Sequence, residues 1–260
     1  RQLGCLIAID DFGAGHSNFD RIWELEPDIV KIDRSMIRGA GTSSRVERIL
    51  TGVVSLIHEA GSLVVIEGVE TEREALVAIA ANADMIQGFY FAKPQQRITP
   101  NLKFAEDIDH LLKIQQRQRF KNSHQMNQDF KKIETLFRQA VSEFSITNAF
   151  DTSTHILFKE KRAVRCYLLD EVGFQMARNV YSPHYQQKMD ARFTPLLSGD
   201  NANWSHKHYH FRAIEHPGEM QVSRPYLSVA DSRMCITVSQ TVVVHNKLYV
   251  FCCDLDWQDD

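Results

Sequence analysis

The sequence has no long hydrophobic run, no excess of either charge and no regular cysteine spacing. Each absence narrows what the 260-residue chain can do. No apolar stretch approaches the roughly 18 residues that a membrane-spanning helix needs, so no membrane segment is expected within the chain. With 30 basic against 33 acidic residues the formal net charge is −3. The basic surplus typical of proteins that grip nucleic-acid polymers is missing. Cys5, Cys166, Cys235, Cys252 and Cys253 are odd in number and keep no framework spacing, which fits a reducing, cytoplasmic setting. Cys252 and Cys253 are neighbours, and on a strand they would face opposite ways as structural residues. No secretory leader is visible, and because the first residue is Arg1 a preceding segment is expected. The 43% hydrophobic and 24% charged residues are an ordinary globular mixture, enough for one large domain or two modest ones.

The first hundred residues alternate in texture. Short apolar runs (CLIAI, DIVKID, SLVVIEG, ADMIQG) are separated by stretches with helical periodicity. Such alternation predicts βα units and a parallel sheet. Val46, Ile49, Leu50, Val53, Val54 and Ile57 form the apolar stripe of a helix over 44–60, closed by Gly61. Thr71 is the expected N-cap of the next helix, with Glu72 and Glu74 in its first turn. Residues 106–144 read as one or two long connecting helices with an apolar face of Met126, Phe130, Ile133, Phe137, Ala140, Val141 and Phe144. From about Asp151 the texture predicts antiparallel strands at THILFK, RAVRCYLLD, MCITVSQTVVV and KLYVFCCDL, with Asn246 in a hairpin turn. The expected organisation is a first domain at 1–100, a helical connector at 101–144 and an α+β domain at 145–260.

Polar groups recur at the strand ends of the first domain. Asp10 and Asp11 close the first strand, and Lys31 and Asp33 lie in the second. Glu67 and Glu70 follow the third, and Gln87 follows the fourth. In parallel α/β folds the carboxyl ends of strands face the site. Crowded carboxylates repel unless neutralised. A hard divalent cation, magnesium or manganese, suits such oxygen ligands, and two adjacent aspartates can serve two metals in phosphoryl transfer. Lys31 adds a fixed positive group for a phosphate.

These residues also carry a resemblance. IDDFGAGHSNF resembles the DDFGTGYSSL loop of EAL-domain proteins, and VKIDRSMI their KID strand. VVIEGVETEREAL resembles their AEGVET segment, and NADMIQGFYFAKP their closing QG motif. The likeness covers about residues 1–98. It implies a TIM-like (β/α)₈ barrel and magnesium- or manganese-dependent hydrolysis of cyclic di-GMP to linear pGpG. By motif position, Asp10 and Asp11 would ligate metals, and Lys31 would position water and the scissile phosphate. Glu67 would be general base or metal ligand. Glu70, Gln87 and Asp33 would support the site or touch substrate.

The family's Glu-Ala-Leu strand and the ligands of the two strands after it precede the matching segment and are absent. The expectation is therefore the second half only of a partial barrel, since a full one takes about 200–250 residues. The chain would be a fragment of a longer bacterial signalling protein, inactive alone. Ala14 and His16 replace the usual Thr and Tyr of the loop, which bears on the loop-linked dimerisation of the family. A catalytically inactive cyclic di-GMP receptor is the alternative, and a homodimer is expected under either. The second half resembles PAS/Cache-like sensor domains found after some EAL domains, which implies an unknown small-molecule ligand. Arg224 and Tyr226 are its candidate contacts, or simply pack the SRPYLS turn. His206, His208 and His210 would share one face of a strand, as zinc ligands can, but no partner ligand accompanies them. Asp254, Asp256, Asp259 and Asp260 are expected in a solvated tail.

Overall fold

A computed structural model describes residues 3–15, 19–96, 103–185, 201–229 and 233–257, with backbone alone at 103 and 122–127. The chain separates into two compact units, residues 1–124 and 125–260. His16, Asp259 and Asp260 lie outside the described residues, as does the side chain of Met126.

Among the described residues the first unit has four parallel strands in chain order: β1 (Ala8–Phe12), β2 (Ile29–Ile32), β3 (Leu63–Ile66) and the two-residue β4 (Met85–Ile86). Helices connect them: α1 (Asp20–Leu25), α2 (Arg34–Thr42), α3 (Ser44–Glu59) and α4 (Glu72–Ala80). The core forms where Ile9, Val30, Ile32, Val64 and Ile66 meet Ile37, Leu50, Val54 and Ile57. Of the stripe expected on α3, Ile49 is instead half exposed, because the buried face is narrower and centres on Leu50, Val54 and Ile57. Thr71 caps α4 through a reciprocal box in which its hydroxyl accepts from the Glu74 amide while Glu74 accepts from the Thr71 amide.

After β4 the chain makes an approach that only glycine permits. A Cβ on Gly88 would stand 2.0 Å from the Val69 carbonyl oxygen. The same two segments are tied by Val69 N–H to the Gln87 carbonyl (3.1 Å) and Tyr90 N–H to the Val69 carbonyl (3.0 Å). This clamp fixes the loop that carries Glu67 and Glu70.

Helix α5 (Lys103–Thr147) is one continuous helix of 45 residues rather than two. Its later part buries Ile133, Phe137, Ala140, Val141 and Phe144 in the core of the second unit. There, α6 (Phe150–Leu157) precedes an antiparallel sheet of β5 (Ala163–Asp170), β6 (Val180–Tyr181), β7 (Gln221–Val222), β8 (Tyr226–Leu227), β9 (Met234–Val244) and β10 (Lys247–Asp256). The order is β6-β5-β10-β9-β7, with β8 also on β9. His245 and Asn246 both take positive φ (48° and 62°), the primed turn that suits the β9–β10 hairpin. Helix α7 (His208–Glu215) packs on the opposite face of the sheet from α5 and α6, against Tyr167, Leu169, Val250 and Cys252. Cys252 and Cys253 do face opposite ways, each into a different core.

Three expectations fail here. THILFK is not a strand: Phe150, Ser153, Thr154 and Leu157 recur at i, i+3, i+4 and i+7 and are buried along one face of α6. His208 and His210 lie on α7 rather than a strand, so the three histidines share no strand face. His210 is buried, with its Nε2 3.1 Å from the Asp170 carbonyl. Asp254 is not in a solvated tail. It is buried in β10, paired with Arg165 at 2.7 Å, and accepts hydroxyl hydrogen bonds from Tyr167 (3.2 Å) and Thr237 (2.7 Å). Its buried cationic partner, 89 positions away in sequence, made this polar patch unreadable from local composition.

Two variants test these contacts. Gly88→Ala is expected to lower unfolding free energy by about 1–3 kcal/mol, since the Val69 backbone must move, read as the shift in a urea unfolding curve. Asp254→Ala leaves Arg165 charged and unpaired in the interior, and a loss of about 3–5 kcal/mol is expected. In the same assay, Arg165→Met with Asp254→Leu should recover most of that loss.

Candidate metal centre

The pairing of β1 with β2 slips between Ile9 and Phe12. Ile9 lies opposite Val30 and Phe12 opposite Ile32, so Asp10 and Asp11 together face the single residue Lys31. That is a β-bulge, which re-aims side chains next to functional sites. Neighbours on a regular strand point to opposite faces. The bulge, with Asp11 at φ 56°, lets two consecutive carboxylates converge. A non-glycine residue in that region is uncommon and is kept only where the surroundings demand it.

Strand β3 brings Glu67 to the same place. One carboxylate oxygen from each of Asp10, Asp11 and Glu67 lies within 4.8 Å of the others. The Lys31 ammonium sits among them, 2.7 Å from Asp10 Oδ1 and in direct contact with Glu67 Oε1. The hydrogen bonds to Asp10 and Glu67 raise the Lys31 pKa above its ordinary value. The hydrogen bond from Lys31 in turn holds Asp10 below the usual carboxylate range. Three carboxylates against one ammonium leave a net charge of −2, the charge one divalent cation balances. The all-oxygen donor set suits a hard cation, so the residues present fit magnesium or manganese.

The remaining expected residues make contacts of their own outside this cluster. Glu70 pairs with Arg34 NH2 at 2.6 Å. Asp33 is the N-cap of α2 and accepts from the Ser35 amide at 2.9 Å; the Ser35 side chain and then its amide lower the Asp33 pKa, and the carboxylate is thereby engaged with the helix. Gln87 bonds through its backbone, donating to the Ile66 carbonyl at 2.9 Å and accepting from Val69. Arg34 was missed from the sequence. Its place directly after Asp33, at the first turn of a helix leaving a site strand, was the available signal. In the second unit, Tyr226 joins its hydroxyl to Thr237 Oγ1 at 2.7 Å, and Arg224 is exposed.

Among proteins of known sequence, residues 1–94 match the family model of the EAL domain. The cyclic di-GMP phosphodiesterase RocR of Pseudomonas aeruginosa is 36% identical over 94 residues, covering 36% of this chain and 24% of RocR. The cyclic di-GMP phosphodiesterase PdeF of Escherichia coli is 37% identical over 98 residues, covering 38% of this chain and 13% of PdeF. The uncharacterised EAL-domain protein YkuI of Bacillus subtilis is 25% identical over 228 residues, covering 82% of this chain and 52% of YkuI. The crystal structure of YkuI in complex with substrate c-di-GMP and calcium matches the whole chain and 64% of that structure's chain, with a TM-score of 0.72 at 22% identity. That likeness concerns the fold. The chain thus spans between about one eighth and two thirds of the length of these relatives. No helix among the described residues is long and apolar enough to cross a membrane. Residues 1–94, which carry the four motifs, are thus similar to an EAL domain.

Proposed function

We propose that residues 1–94 form part of the catalytic domain of a cyclic di-GMP phosphodiesterase, a hydrolase that opens one phosphodiester to give pGpG. The observation that carries this reading is the convergence of Asp10, Asp11 and Glu67 on Lys31 across a bulged strand. The names of RocR and PdeF, and the c-di-GMP and calcium of the YkuI complex, support the same substrate and a divalent cation.

In this reading Asp10, Asp11 and Glu67 hold magnesium or manganese. When bound, the metal supplies Lewis acidity at the phosphate and lowers the pKa of water. The chain's own groups do the rest. Lys31 keeps its charge at neutral pH, because its two carboxylate neighbours raise its pKa, and so can hold a non-bridging phosphate oxygen throughout in-line attack. Glu67, the less exposed of the two carboxylates on Lys31, takes the proton of the attacking water or completes the ligand set. The Arg34 contact fixes Glu70 beside the site, and Gln87 borders it. Asp33 acts by starting α2 at the residue that bears Arg34.

We further read residues 125–260 as a PAS/Cache-like regulatory domain. Its antiparallel sheet with helices against both faces supports this. The parent protein is read as a homodimer, supported by Ile108, Leu112 and Phe120 exposed along α5.

The full reading frame that contains this chain, supplied with magnesium or manganese and cyclic di-GMP, should release pGpG, measured by anion-exchange chromatography. Asp11→Asn and Lys31→Met should each reduce turnover by at least about 100-fold. Binding of the dinucleotide without cleavage would replace the enzyme by a receptor, and neither binding nor cleavage would overturn both. Light scattering on the same protein should give twice the monomer mass; a monomer at high concentration rejects the dimer.

A further inference from the structure

A groove of about 450 Å³ opens in the second unit between the start of α7 and the 223–226 segment that leads into β8. Lys207, Arg212 and Arg224 line it, with His208 beside them, and none of its lining residues is acidic. Three permanent positive charges thus share one depression of a molecule whose net charge is −3. None of the three makes an ion pair with another described residue. Like charges gathered without a counter-charge repel, and the repulsion is relieved when an anion joins them.

The rest of the lining narrows the anion. The Tyr226 hydroxyl is engaged with Thr237, so the groove receives the ring rather than the phenol. Lys207 Nζ stands 5.8 Å from the centre of that ring, and Tyr209 stacks on it at 6.1 Å. Lys207 is half-buried while Arg212 and Arg224 are exposed at the mouth. Guanidinium groups offer planar paired donors matched to phosphate oxygens, and stacked tyrosines offer an apolar floor. We propose that this groove binds a small phosphorylated ligand, with Arg212 and Arg224 on its phosphate and the Tyr226 ring beneath it.

The floor of the groove is joined to the interior. From Tyr226 the hydrogen bonds run to Thr237, to Asp254 and to Arg165, which also reaches the Ser228 hydroxyl at 3.2 Å. A ligand that moves Tyr226 therefore acts on the pair that links β5 with β10, which gives the regulatory reading of this unit a point of entry.

The groove is independent of the metal site and is tested on this chain alone. Pyrophosphate is the probe, titrated calorimetrically in EDTA so that the carboxylate cluster cannot recruit it through a metal. Saturable binding is expected. Arg212→Ala with Arg224→Ala should weaken it at least about tenfold, the loss of charge-assisted hydrogen bonds. Arg38→Ala, an exposed arginine of the first unit, should leave it unchanged. No saturable binding, equal affinity in the double variant, or equal weakening by Arg38→Ala would each overturn the proposal. Failure of the phosphodiesterase assay would leave this result untouched.

Discussion

The strand ends of the first unit are organised around one ammonium group. Lys31 stands on β2, flanked by β1 and β3, and reaches a carboxylate from each. Without it, Asp10, Asp11 and Glu67 would be three like charges in mutual reach. With it the cluster still carries one ammonium against three carboxylates, a net charge of −2. The bulge in β1 is the backbone counterpart of the same constraint: a regular strand would send Asp11 away from Asp10 and leave the set incomplete. The Gly88–Val69 clamp then keeps the loop after Glu67 in place.

The second unit solves its charge problem in the opposite way. Arg165 and Asp254 are sealed from solvent and each is supplied with hydroxyl partners. Burial pushes the Arg165 pKa down, but the Asp254 charge outweighs it and keeps the guanidinium well above its ordinary value. Such a pair contributes little net stability over an apolar replacement, yet penalises the loss of either member. It therefore defines one register of β5 against β10 more than it strengthens the sheet. The cluster of the first unit stays open to solvent, and the pair of the second is closed off from it.

Much of the first unit was legible in the sequence. The parallel βα alternation, the Thr71 cap and the stripe of α3 depend on neighbouring residues, and neighbours are what a sequence displays. The candidate site residues could be picked out because they follow successive strands, but the convergence of Asp10, Asp11 and Glu67 could not. Nothing in IDDF announces a bulge, since the slip is set by pairing with Val30 and Ile32 some twenty residues on. The second unit was read less well for the same reason. THILFK has the β-branched content of a strand, and its helical form follows from burial against the long helix and β-strands. Asp254 looked like part of an acidic tail because its partner lies 89 positions earlier. By compactness the chain divides within α5, at 124/125, because a single helix contributes Leu111 to one core and Phe137 to the other.

The order of strands in the second unit has a consequence for how the molecule is made. The middle strand of the sheet, β10, is the last strand described, while its partner β5 is the first. During synthesis β5 must wait for some eighty residues before its central neighbour exists, a long-range pairing that forms slowly. Phe251 of β10 is also the ring on which Phe137, Phe144 and Phe150 converge, at 5.1–5.9 Å. Until the ribosome delivers it, the apolar face of α5 has emerged without its cover. The nascent chain thus carries an uncovered aromatic helix while the residues upstream of it already have their own core, and that helix is the surface a chaperone would meet first.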